Sequence, residues 1–70
     1  MPDKYTAVIK KDGSWWIGWI EEIAGVNCQE RTKEELLVSL KEAVAEALAF
    51  NRTEAKRAAR PRYTEAVIRV

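Results

Sequence analysis

The first part of the chain carries three short runs of apolar and polar residues typical of β-strands. The first run covers residues 5–10, and the Asp12-Gly13 dipeptide that follows it is a strong hairpin signal. The second run covers residues 15–21 and is dense in tryptophan and isoleucine, whereas the third, residues 26–30, is shorter and more polar. Together these runs predict a hairpin followed by a third strand.

A helical pattern follows the third run. Thr32 and Glu35 fit a capping box, in which each side chain can bond to the backbone N–H of the other residue. Behind them, apolar residues recur every three or four positions, as on the buried stripe of an amphipathic helix. These residues are Leu36, Leu37, Leu40, Ala43, Val44, Ala47 and Leu48. The pattern predicts a helix that packs on the sheet.

The end of this helix is the least regular part of the pattern. A helix continuing to Ala59 would be about 40 Å long, longer than the strands it should cover, so we expect a break or bend near Asn51 and then a second short helix. Pro61 ends any preceding helix, and residues 63–70 read as a last strand. The predicted fold class is α+β in the order β-β-β-α-(α)-β, one domain over residues 1–70, with a small, mainly antiparallel sheet and one amphipathic helix on one face.

The hairpin pattern also predicts which residues share a face of the sheet. A two-residue turn at Asp12-Gly13 would place Ile9 opposite Trp16. One face then has small residues at its centre and larger apolar residues around them, so we assign it to the core beneath the helix. Its members are Tyr5, Ala7, Ile9, Trp16, Gly18 and Ile20.

The other face of the hairpin carries Trp15, Ile17 and Trp19 beside polar residues. Because one helix cannot cover both faces of a sheet, we expect this face to be open in the monomer and buried by another chain, with a homo-oligomer as one form. The alternative is that residues 51–62 fold back as a second helix and cover it. Both readings depend on register, since a slip of one residue exchanges the faces.

Charge is distributed unevenly along a chain whose formal net charge is +1. Residues 1–50 hold six basic and nine acidic residues, a net charge of −3, and residues 51–70 hold six basic and two acidic residues, a net charge of +4. Arg52, Lys56 and Arg60 are spaced by four, so on a helix they would form one positive stripe able to meet phosphates. The alternative is a solvated linker, or pairing with acidic residues in an oligomer.

Catalytic and metal-binding patterns are absent from the sequence. A nuclease of the ribonuclease H type needs several carboxylates that converge on two metal ions, but residues 5–10 contain no acid, and Glu21 and Glu22 are neighbours whose side chains would diverge on a strand. There is no histidine, and the single Cys28 has no partner for zinc or for nucleophilic catalysis. We therefore expect no enzyme, no catalytic residue, no metal and no cofactor.

The sequence also predicts the cellular compartment of the protein. One cysteine excludes an internal disulfide and suggests a reducing compartment. No apolar run approaches the roughly 18 residues of a membrane span, and the start of the chain, MPDKYTAVIKK, has no signal-peptide pattern. We expect a cytoplasmic protein that has no membrane partner.

Residues 5–48 resemble the HicB-like antitoxin family in the order and spacing of three segments, YTAVIKKDG, WWIGWIEEIAGV and NCQERTKEEL. Gly18 stands at the small central position of the aromatic strand, and Gln29, Thr32, Glu34 and Glu35 match the motif that opens the family's helix. The family's prolines after the second strand are missing here.

The resemblance implies a partial, degenerate ribonuclease H-like fold of four strands, the last beside the first. It also implies a short antitoxin without a DNA-binding domain, which would bind and occlude a small mRNA-cutting ribonuclease toxin of the HicA type. In this interpretation, the apolar face supplies affinity, and Glu21, Glu22 and Glu30 meet a basic surface of the partner. The alternative function is a solitary, oligomeric nucleic-acid-binding protein that uses the basic residues of 52–62.

Overall fold

The computed structural model describes residues 4–70, which form three strands and one helix. The elements are β1 (Ala7–Asp12), β2 (Trp15–Ile20), β3 (Asn27–Glu30) and α1 (Lys33–Ala59). The strands make an antiparallel sheet in the order β1-β2-β3, and α1 packs on one face of it. The prediction of a small α+β fold with one helix on one face of an antiparallel sheet is confirmed.

The hairpin turn lies one residue later than the sequence suggested. Asp12 pairs with Trp15, so the two turn residues are Gly13 and Ser14. A tight hairpin turn needs a positive φ at its first central residue, and Gly13 supplies it at φ 63° without strain. The predicted register was therefore wrong by two residues, because Ile9 lies opposite Gly18. A shift of two keeps every side chain on its predicted face.

The core lies between α1 and the face of the sheet that contains Gly18. Leu36, Leu40 and Val44 from the helix are buried with Ile20 and Val26. The helix approaches the sheet most closely at Gly18, where an added Cβ atom would lie only 2.8 Å from Leu40 Cδ1 and 3.2 Å from Leu36 Cδ2. The small central position predicted for this face is thus the place where the helix presses on β2.

α1 is one continuous helix from Lys33 to Ala59, so the predicted break near Asn51 and the second short helix are wrong. Residues 53–59 are tolerated in helices, and Asn51 costs the helix only a few tenths of a kcal/mol, too little to stop it without a stronger signal. Pro61 is that signal, and the Arg60 N–H closes the last turn on the Lys56 carbonyl at 3.1 Å. The end of α1 therefore extends beyond the sheet.

Residues 63–70 follow α1 as an exposed segment without regular structure, so the predicted last strand is not formed and the sheet has three strands instead of four. The physical reason is the unbroken helix, which carries this segment away from β1. A contact of 3.2 Å between Lys56 Nζ and Glu65 Oε1 holds it beside the end of α1. No helix within residues 4–70 combines the length and apolarity needed to cross a bilayer.

The N-terminus of α1 is capped as the sequence predicts, with one difference. The Thr32 Oγ1 atom accepts a hydrogen bond from the Glu35 N–H at 3.1 Å. The Glu35 carboxylate accepts a hydrogen bond from the Thr32 hydroxyl at 2.9 Å, instead of the predicted bond from the Thr32 backbone N–H.

Thr32→Ala removes both interactions, and we expect it to lower the free energy of unfolding by about 1 kcal/mol. Urea denaturation measures this loss. Thr53→Ala, at an exposed position in the same helix, should change it by less than about 0.5 kcal/mol, and an equal effect of both would contradict a capping role for Thr32.

Candidate interaction face of the sheet

The face of the sheet opposite α1, called here the open face, has an apolar centre and a polar border. Its members are Val8, Lys10, Asp12, Trp15, Ile17, Trp19, Asn27 and Gln29. β2 is the central strand, so Trp15, Ile17 and Trp19 run down the middle of the face. Trp19 lies between Val8 and Asn27, and Ile17 lies between Lys10 and Gln29.

No helix covers the open face within the described part of the chain. Trp19 is 42% exposed and Val8 is 48% exposed, while Trp15 and Ile17 are half-buried by their neighbours. The alternative that residues 51–62 fold back as a second helix over this face is wrong, because residues 51–59 continue α1 and residues 60–62 form the turn that follows it. The three apolar side chains predicted to form a binding surface are thus brought together and left accessible.

Arg31 adds a cation to this face that the sequence did not reveal. Its guanidinium carbon lies 4.1 Å from the centre of the Trp15 ring, within the range of a cation–π contact. The contact shields one side of Trp15 and places a positive charge at the end of the face nearest the hairpin turn. Only the register of β2 with β3 would have predicted this contact. Trp16 pairs with Glu30, so the next residue, Arg31, lies level with Trp15.

Glu21 and Glu22 lie in the turn after β2, and both are exposed. The Glu21 N–H donates to the Thr6 carbonyl at 3.0 Å. The Glu22 carboxylate accepts a hydrogen bond from the Thr6 N–H at 2.8 Å, and this bond holds the pKa of Glu22 below its ordinary value. Of the three carboxylates predicted to select a partner, Glu22 already ties the turn to the start of β1. Glu30 lies on the face covered by α1, where it accepts a hydrogen bond from the Ser39 hydroxyl at 2.6 Å, so its predicted role is wrong.

The Glu22 hydrogen bond makes a small part of the stability depend on pH. Since the pKa of Glu22 is lower in the folded state, the bond stabilises the fold at pH values above the pKa of the unfolded chain, and this is lost as the pH falls through the folded value. We expect the Glu22 carboxyl carbon to titrate at a lower pH in the natural chain than in Thr6→Pro, which lacks the donor. NMR titration of both chains measures this difference, and identical midpoints would show that the bond does not form.

The three basic residues predicted to meet phosphates lie at the far end of α1. Arg52 and Lys56 are one turn apart on the helix, and Arg60 is its C-cap residue. Lys56 is paired with Glu65, and residues 63–65 lie beside Arg52 and Lys56. The stripe therefore exists, but an acidic residue already occupies its middle, and such exposed pairs contribute little to stability.

Cys28 lies on β3 opposite Gly18, on the face covered by α1, and is half-buried. Burial raises the pKa of its thiol, and the charges of Glu30 and Glu46 raise it further. The thiol is therefore protonated at neutral pH and a poor nucleophile. Within residues 4–70, no group of three or more histidine, cysteine, aspartate or glutamate side chains is placed to hold a metal ion.

The open face thus combines a partly exposed apolar centre with a polar border. The chain was also compared with models of protein families, with curated proteins and with solved structures. None of the three comparisons gives a match.

Proposed function

We propose that this chain is a non-enzymatic protein-binding module, specifically a HicB-like antitoxin that binds and occludes a small mRNA-cutting toxin of the HicA type. The observation that carries the proposal is the open face, on which Trp15, Ile17 and Trp19 form an accessible apolar centre. The resemblance of residues 5–48 to the antitoxin family supports the more specific role. A partner that cuts mRNA would place both proteins in the cytoplasm.

The composition of the open face matches the usual anatomy of a protein interface. Such interfaces have an apolar, aromatic centre in which tryptophan is over-represented, and a polar border that excludes water from it. Here Trp19 and Ile17 supply the centre, while Lys10, Asn27 and Gln29 supply the border. Single exposed apolar residues are normal on a protein surface, whereas a contiguous apolar patch is more typical of a binding site.

Charge favours a basic protein partner for the body of the chain. A toxin that binds RNA needs a positive surface, and residues 1–50 carry a net charge of −3. Glu21 is exposed in the turn after β2, two residues beyond Trp19. Complementary charge of this kind raises the association rate and suppresses wrong partners, while the apolar centre supplies most of the affinity.

The open face also accounts for the proposed homo-oligomer. A chain of 70 residues buries only roughly 60% of its unfolded surface, so covering Trp19 and Val8 with a second copy would stabilise it. One face cannot contact a second copy and a toxin at the same time. We therefore expect toxin binding to displace any self-association that uses Trp15, Ile17 and Trp19.

Co-expression with the small reading frame next to its gene tests the antitoxin role. We expect the neighbouring product alone to arrest growth, and the present chain to restore growth and to co-purify with that product. A plasmid without this chain and one carrying an unrelated protein of similar size are the controls. A neighbour that is harmless, or growth that is restored without a complex, would contradict the proposal.

A second candidate function, nucleic-acid binding, is favoured by the projecting end of α1, where Arg52 and Arg60 are exposed. If the stripe binds phosphates, affinity for RNA or DNA should fall steeply with salt. It should also rise in Glu65→Gln, which frees Lys56 from its ion pair. Weak binding that neither salt nor Glu65→Gln changes would exclude this function for the stripe.

A further inference from the structure

A groove lies beside the start of β1, on the side of the sheet that α1 covers. α1 lies over β2 and β3, so the inner side of β1 is only partly covered. Tyr5, Ala7 and Ile20 line the groove from the sheet, and Leu37, Leu40, Lys41 and Val44 line it from α1. Leu37 is 44% exposed there, although it belongs to the apolar stripe of the helix. The groove therefore has the position and the chemistry of a site for one more strand.

The backbone edge of β1 beside this groove is also unpaired in the described residues, because β2 is the only neighbour of β1. Thr6 bonds to Glu21 across the hairpin. Bonded pairs alternate along an antiparallel ladder, so the N–H and C=O groups of Ala7, Ile9 and Lys11 point outward. Outward groups of this kind are a template for an added strand.

Residues 63–70, the segment after α1, have the sequence of such a strand. One set of alternate residues is small or apolar and suits the inner side of a sheet, namely Thr64, Ala66, Ile68 and Val70. The other set is Tyr63, Glu65, Val67 and Arg69; it holds both charged residues of the segment and suits an outer side. Ile68 is 83% exposed and Val70 is fully exposed, so the apolar side of this segment has nothing packed on it.

We propose that residues 63–70 of one copy add as a fourth strand to the β1 edge of a second copy, reciprocally, with Ile68 directed into the groove. The proposal goes beyond the proposed function and does not depend on it, because the groove lies on the opposite side of the sheet from Trp19. In the pair, Val67 of one copy lies on the same side as Val8 of the other. The exchange therefore also widens the apolar centre of the open face.

The length of α1 is the reason for choosing a second copy over the same chain. Ala59 lies 15 residues after Val44, which is about 22 Å along the helix axis. A segment returning from there needs about seven residues, at roughly 3.3 Å each, to come back level with the groove. Within residues 60–70 only the last four would then reach β1 of the same chain, whereas a second copy can pair with the whole segment.

Two neighbouring substitutions provide a matched test. All chains carry Trp19→Ala, so that the open face does not contribute to association, and their mass is measured by light scattering over a wide range of concentration. We expect Ile68→Lys to raise the dimer dissociation constant by at least about 100-fold, since each dimer loses two buried side chains. Val67→Lys should change it little. A chain that is monomeric before either change, or equal effects of the two, would overturn the proposal.

A mixing experiment separates exchange between copies from pairing within one chain. Leu37→Lys damages the groove and leaves the segment 63–70 natural, whereas Ile68→Lys does the reverse. Circular dichroism should show that both variants are folded. We expect each variant to be monomeric alone. The mixture should form a heterodimer in which the natural segment of the Leu37→Lys chain pairs with the natural groove of the Ile68→Lys chain. A mixture that remains monomeric, or a loss of thermal stability in monomeric Ile68→Lys, would show that the strand pairs within its own chain and would overturn the exchange.

Discussion

Trp19→Ala is expected to weaken binding to the toxin partner by at least about 30-fold while leaving the chain folded. Trp19 lies on the central strand of the open face, flanked by Val8 and Asn27, and is 42% exposed before binding. Central tryptophans of this kind contribute about 2 kcal/mol or more to an interface, which corresponds to the stated loss. Isothermal titration of the purified partner with both chains measures it.

Phe50→Ala is the matched control for that experiment. Phe50 is also aromatic and is 64% exposed, but it lies on α1, in the layer opposite the open face. Its removal should change the dissociation constant less than twofold. If Phe50→Ala weakens the complex as much as Trp19→Ala does, the partner binds the helix, and the open face is not the binding site.

Gly18→Val is expected to unfold the chain or to lower its free energy of unfolding by about 3 kcal/mol or more. A Cβ atom at residue 18 would already lie 2.8 Å from Leu40 Cδ1 and 3.0 Å from Ile9 Cγ2, and valine adds two further methyl groups. Overpacking of this kind costs about 1–3 kcal/mol or more, and a chain of 70 residues has only about 4–10 kcal/mol in total. Urea denaturation followed by circular dichroism measures the loss.

Lys10→Val tests whether the loss of stability in Gly18→Val comes from crowding at residue 18 and not from introducing a valine into the sheet. Lys10 is exposed on the open face of the same sheet, so the change should alter stability by less than about 0.5 kcal/mol. A second check pairs Gly18→Ala with Leu40→Val, which removes the nearest methyl group. We expect the two changes together to cost at least about 0.5 kcal/mol less than the sum of their separate costs. Additive costs would mean that the helix does not press on β2 at this point.

The parts of the fold that could be predicted from the sequence are those set by local pattern. The stripe from Leu36 to Val44 and the cap at Thr32 needed only spacing along one helix. The two faces of the hairpin needed only alternation, which explains why a register wrong by two residues still assigned Gly18 to the core and Trp19 to the open face. Local rules tolerate such an error because side chains repeat every two residues in a strand.

The parts that could not be predicted depend on competition between segments. The expected break near Asn51 assumed that a helix matches the length of its strands, but helix propensity and Pro61 decide its end. The expected last strand needed a neighbour, and residues 63–70 pair with no strand among residues 4–70. The contacts of Arg31 with Trp15 and of Glu22 with Thr6 join residues 16 apart, and only the folded register brings them together.

The central claim is that another chain buries the open face, and the indole N–H signals of the three tryptophans test it most directly. Trp15 and Trp19 lie on the open face, whereas Trp16 lies on the face covered by α1 and serves as an internal control. A ¹⁵N-labelled sample is titrated with the toxin that co-purifies with it. The account predicts that the Trp15 and Trp19 signals shift on binding, while the Trp16 signal stays in place. A complex that forms without moving Trp15 or Trp19, or that moves Trp16 alone, would contradict it.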